Sequence, residues 1–82
     1  MKLLDEKDCV VAFGEFVRKG RDKKGLYQAE VAEMLGISQG YYSHIELGNR
    51  EVPLTLALKI CSVLGLDLND FVALFNKKTP SL

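Results

Sequence analysis

The sequence predicts an all-α fold of five short helices, and three observations carry that prediction. Apolar residues recur at spacings of three and four rather than two. Proline occurs only at Pro53 and Pro80, and no long alternating run of β-branched residues is present. Glycines fall just past the ends of the apolar-periodic segments, where a chain leaves a helix.

The first helix is expected from Asp8, a plausible N-cap, to Lys23, stopping at Gly25. Its main stripe is Val10, Phe13 and Val17, with Val11 and Phe16 adding apolar surface to other sides. A short second helix, Gln28 to Leu35, turns Val31, Ala32 and Leu35 inward and ends at Gly36. Ile37 fills the turn, Ser38 is a good N-cap, and a third helix runs from Gln39 to Leu47 before Gly48. After the loop 49–52, Pro53 suits the first turn of a fourth helix, where its missing N–H costs nothing. Leu54, Ala57, Leu58, Cys61 and Leu64 form its expected inner face, and Gly65 closes it. Asp67 caps a fifth helix carrying Phe71, Val72, Leu74 and Phe75, with Asp70 placed like a capping-box acid. A single domain over 1–82 is expected, with a core at 8–76 and a polar, flexible tail at 77–82.

Composition narrows the function. Eighty-two residues accommodate one domain, and 48% apolar content argues against disorder. No apolar run approaches the ~20 residues of a membrane span, and the acidic start is unlike a signal peptide. Cys9 and Cys61, 52 positions apart in apolar helical patterns, read as buried free thiols of a reducing cytoplasm. With one histidine, His44, no ligand cluster for a metal exists, and no phosphate-cradling loop is present, so no cofactor is expected. Ser43 and His44 are adjacent on a helix and point about 100° apart, which forbids a nucleophile–base hydrogen bond. Enzymatic activity is therefore not expected.

Eleven basic residues balance eleven acidic ones, so no global basic excess points to nucleic acid. The distribution is uneven, however. Residues 1–17 sum to −2, residues 18–27 to +4 and residues 28–82 to −2. The +4 block, Arg18, Lys19, Arg21, Lys23 and Lys24 against Asp22, reads either as a solvated face or as a source of phosphate contacts. Helices two and three, joined by three residues around a glycine, have helix-turn-helix spacing over 28–47, which presents the second helix outward for a major groove.

The stretch from Gln28 to Arg50, QAEVAEMLGISQGYYSHIELGNR, resembles the lambda-repressor-like helix-turn-helix domains of the Cro/cI type, the XRE family. Gly14, Val17, Arg18 and Arg21 on helix one match its pattern. So do Gly25-Leu26 with Gln28, then Leu56 to Ile60, and finally Leu64-Gly65. The resemblance covers about Phe13 to Phe75 and agrees across all five helices. Three positions depart from it. Tyr27 stands where a Ser or Thr usually caps helix two, so that cap must come from elsewhere. Gly20 replaces an apolar core residue, at a cost of about 1 kcal/mol in helix stability relative to Ala. Gly40 sits where relatives often place a base-contacting side chain, and it either permits close backbone approach or carries no information.

What the resemblance implies is a compact five-helix lambda-repressor-like domain acting as a sequence-specific DNA-binding transcriptional regulator. It places Gln39, Gly40 and His44 among the base readers, and Gln can grip adenine bidentately. Gln28, Ser38, Tyr41, Ser43, Asn49 and Arg50 are the implied DNA-backbone contacts, with the dipole of helix two assisting at Gln28. Tyr42 and Ile45, three apart, read as anchors to the core. The family's acid at Glu46 pairs with the second arginine of helix one, Arg21, and so hides its charge from phosphate. One helix-turn-helix reads only a half-site, so a homodimer on a pseudo-palindromic operator of double-stranded DNA is expected. Phe71, Val72, Leu74 and Phe75 are the candidate dimer interface. A phage-like repressor, a restriction–modification controller and an antitoxin all fit, with an unidentified protein partner left open. The rival reading is a protein-interaction module of the same fold without DNA binding, supported by neutrality and by the lack of Lys or Arg in 39–47.

Overall fold

The computed structural model describes residues 5–78, and these form five α-helices with short connections. Helix α1 spans Glu6–Lys24, α2 Gln28–Leu35, α3 Gln39–Glu46, α4 Leu54–Leu64 and α5 Leu68–Lys78. The helix-turn-helix is α2, the three-residue turn 36–38 and α3.

Helix α1 starts earlier than its sequence suggested. Asp5, not Asp8, is the N-cap, and its Oδ1 accepts the Asp8 N–H at 2.9 Å. Asp8 then lies in the first turn with Glu6, while Arg21, Lys23 and Lys24 occupy the last, so both ends complement the helix dipole. Backbone donation lowers the pKa of the Asp5 carboxyl, which stays charged in its capping role. At α2, Tyr27 supplies no side-chain cap. Glu30, three residues on, reaches back instead and accepts the Tyr27 N–H at 2.8 Å. Ser38 Oγ accepts from the Tyr41 N–H at 3.1 Å and starts α3, which ends one residue before Leu47. Asp67 Oδ1 accepts the Asn69 N–H at 2.9 Å at the start of α5. That helix continues through Lys78, past Phe75, whereas residues 79–82 of the expected tail lie outside the described residues.

The core joins all five helices: Phe13 and Val17 of α1, Val31 and Ala32 of α2, and Tyr42 and Ile45 of α3. Ala57, Ile60, Cys61 and Leu64 of α4 and Phe71 of α5 complete it. The inner face of α4 thus differs from the expected one. Ala57, Ile60, Cys61 and Leu64 keep an i, i+3, i+4, i+7 stripe, and Leu58 lies about 100° off it and is exposed. Leu54, in the first turn, is also exposed and borders a groove between α1 and α5 instead of entering the core.

Helix α1 is the central strut, packing against α3, α4 and α5, while α2 packs against α3 and α4. Two glycines of α1 set those distances. A Cβ on Gly14 would collide with the backbone carbonyls of Ile45 and Glu46, so α1 and α3 touch main chain to main chain. A Cβ on Gly20 would stand 2.7 Å from Leu66 Cδ1. The apolar volume absent from position 20 is supplied by Leu66, which lies in the α4–α5 turn.

Candidate nucleic-acid interface

The outward face of α3 follows from its rotation. Tyr42, Ile45 and Glu46 are buried against the core, while Gln39, Gly40 and His44 are exposed. At 100° per residue, Gln39, Ser43, Leu47, Gly40 and His44 fall in that order within one strip about 140° wide. Nothing lies within 4 Å of the position a Gly40 Cβ would take, so the strip is unobstructed beside His44. Of the residues implied as backbone contacts, Ser38, Asn49 and Arg50 are exposed and Gln28, Tyr41 and Ser43 half-buried. Two pairs form at the edges of the strip. The Arg50 guanidinium stands 6.0 Å from the centre of the Tyr41 ring, and Asn49 Nδ2 lies 3.4 Å from His44 Nδ1.

Behind this surface, one polar cluster fixes how α3 sits on α1. Arg21 Nε donates to Glu46 Oε2 at 2.6 Å and Arg21 Nη2 to Glu46 Oε1 at 2.9 Å, a bidentate pair. Arg21 Nη1 donates to the Leu26 carbonyl at 2.9 Å, tying in the α1–α2 turn. Gln28 Nε2 donates to Glu46 Oε1 at 3.0 Å, so a residue implied as a phosphate contact has its amide engaged inside the fold. The Glu46 side chain is only 2% exposed. Burial raises its pKa, but the Arg21 guanidinium, with the Tyr42 phenol and Gln28 amide nearby, outweighs that and leaves the carboxyl below the ordinary carboxylate range. Burial and the neighbouring Glu46 push the Tyr42 phenol upward, so it stays neutral. Its hydroxyl is buried without a well-formed hydrogen bond among the described residues.

The basic block is partly self-neutralised. Arg18 pairs with Asp22 at 3.2 Å, Lys19 with Glu15 at 3.0 Å and Arg21 with Glu46, while Lys23 and Lys24 remain on the exposed surface. Of the proposed interface residues on α5, Phe71 is buried in its own chain, edge-on to Phe13 at 5.3 Å, and is not available surface. Phe75 is half-buried and stacks on Phe71 at 5.8 Å, leaving Val72 and Leu74 exposed. Both cysteines are free thiols, Cys61 buried and Cys9 half-buried, and burial raises the pKa of Cys61. No group of metal-ligating side chains occurs among the described residues, and no described helix is long and apolar enough to cross a membrane.

Among the contacts that escaped the sequence reading, two differ in how visible they were. Glu30 had a visible signal, an acid three residues into a helix, which is the capping-box position. The Asn49–His44 contact had none, because it depends on the path of the chain after α3.

The helix-turn-helix family model matches residues 17–71. An HTH-type transcriptional regulator of an SPbeta prophage, YonR of Bacillus subtilis, is 37% identical over 60 residues, 73% of this chain and 55% of its own length. The chain thus spans about half of that curated relative. Control protein C.MunI of a Mycoplasma species is 33% identical over 72 residues, covering 87% of this chain and 97% of its own. Among solved structures, the restriction–modification controller protein C.AhdI of Aeromonas hydrophila superposes with a TM-score of 0.75 at 31% identity, over 83% of this chain and 99% of that one. The chain belongs to the helix-turn-helix family of the Cro/cI type, with the five-helix fold of its regulators and controller proteins.

Proposed function

We propose that the protein is a sequence-specific transcriptional regulator of the phage-repressor or restriction–modification controller kind. In this reading it binds a pseudo-palindromic site in double-stranded DNA as a homodimer. The observation that carries this reading is the division of α3: one side is locked to α1 and α2, while Gln39, Gly40 and His44 stand on an exposed, unobstructed strip. Gln39 would read a base edge, since its amide offers a donor and an acceptor together. Ser38, Tyr41, Ser43, Asn49 and Arg50 flank the strip and offer donors to phosphate, and Gln28 keeps a second amide hydrogen for the same use. Glu46 does not repel DNA because its charge is consumed by Arg21. Similarity to proteins named as control and controller proteins supports the same reading, as do free thiols suited to the cytoplasm.

A gel shift of the full chain against a randomised duplex pool tests it. Retardation at low salt is expected, weakening as salt rises with a log–log slope of about 0.9 per neutralised phosphate. With so many cations paired internally, the slope should be shallow, and Gln39→Ala should relax sequence preference more than it lowers affinity at low salt. No retardation at low salt would overturn the reading and favour an interaction module.

A further inference from the structure

Helix α3 ends in a Schellman motif, in which the Gly48 N–H bonds to the Ile45 carbonyl at 3.1 Å and the Asn49 N–H to the His44 carbonyl at 3.0 Å. Gly48 holds φ +76°, and a Cβ there would stand 2.8 Å from Val11 Cα, so the turn is pressed against α1. This motif brings the second residue past the helix cap back over the last turn, usually for an apolar contact. Here the contact is polar: Asn49 Nδ2 meets His44 Nδ1. An amide nitrogen of this kind carries only hydrogens, so Nδ1 must supply the lone pair, and the neutral ring then carries its proton on Nε2.

We propose that Asn49 is a positioning residue for base readout: it fixes the His44 tautomer so that Nε2 presents an N–H donor to the DNA, selecting guanine at one position of each half-site. The inference rests on the DNA-binding reading above. A single donor is matched best by the guanine major-groove edge, where N7 and O6 are both acceptors; thymine offers only O4 beside its bulky methyl group, and the amino donors of adenine and cytosine oppose it. Gly40, one turn before His44 on the same face and with open space where a side chain would be, leaves the approach to the imidazole clear.

Two measurements test this together. In nitrogen-15 NMR of the DNA-free protein under mildly alkaline conditions, His44 should show a protonated Nε2 and a hydrogen-bonded, unprotonated Nδ1. The Nδ1 resonance should move in Asn49→Ala without a change in melting temperature. A protonated Nδ1, or an Nδ1 indifferent to Asn49→Ala, overturns the proposal. In site selection from a randomised duplex pool, the parent should favour guanine at one position by about tenfold. His44→Ala and Asn49→Ala should both lose that preference while keeping it elsewhere in the site. Selection of adenine, cytosine or thymine there, or an unaltered preference in Asn49→Ala, also overturns it. If the parent selects no DNA at all, the DNA-binding reading fails and this inference fails with it, whereas a normal parental site unaffected by Asn49→Ala defeats this inference alone.

Discussion

The Arg21–Glu46 pair concentrates the consequences of single side chains. A carboxylate this buried is tolerable only because two parallel charge-assisted hydrogen bonds from Arg21 and a third from Gln28 replace its water. Removing either charged partner strands the other in the interior. Arg21→Ala and Glu46→Ala are each expected to cost about 3 kcal/mol in chemical denaturation. Arg18→Ala, which breaks an exposed pair with Asp22, should cost less than about 0.5 kcal/mol. Equal losses in all three would refute the distinction. The lowered pKa of Glu46 gives the pair a pH signature. Its contribution is fully present above its ordinary value of 4.5, where folded and unfolded carboxyls are both charged. Below that value the unfolded chain takes up the proton first, and the contribution is lost as pH falls through the lower folded-state value. Urea midpoints measured against pH should therefore fall on the acid side, and Glu46→Gln should flatten that fall. Pairing of residues 25 positions apart was suggested by resemblance alone, since neither periodicity nor charge spacing singles out Arg21 among five clustered cations. The engagement of Gln28 in the same cluster was not legible at all, because a glutamine at a helix start looks identical whether it faces solvent or a neighbour.

At the scale of the element, boundaries followed local chemistry and faces did not always do so. Helix α2 and the starts of α3, α4 and α5 agree with the cap and glycine signals in the sequence. Asp5 and Asp8 are both good capping residues, and only the observed path of the chain decides that the earlier one caps α1. In α4 a leucine-rich pattern admits more than one inner stripe, so Leu58 looked internal until the positions of α1 and α2 favoured Ile60. The α1–α3 contact makes a sharper prediction. Gly14→Ala, normally a gain in helix propensity, should instead destabilise the fold by about 1–3 kcal/mol, because its methyl meets main-chain carbonyls that cannot rotate away. A thermal melt at or above that of the parent would contradict it.

For the whole molecule, the proposed homodimer needs an exposed apolar face, and α5 offers one only in part. Phe71 and Phe75 serve the aromatic cluster of their own chain with Phe13 and Phe16, so aspartate at either would test folding rather than assembly. Val72 and Leu74 are each 48% exposed and border grooves on the two sides of α5, so they are the better probes of a dimer. Val72→Asp and Leu74→Asp are expected to keep parental helicity, and at least one should halve the mass seen by light scattering. An unchanged mass in both would exclude this face. The sequence by itself determined the class of fold and the helix-turn-helix, because these depend on local periodicity, caps and glycines within a few residues of one another. The tertiary structure alone decided which leucines are core and that Gln28 turns inward to Glu46. It also decided that Leu66 fills the space at Gly20 and that Asn49 returns to His44. These are contacts between separate elements or across a turn, and they depend on how rigid helices dock, which no local pattern encodes.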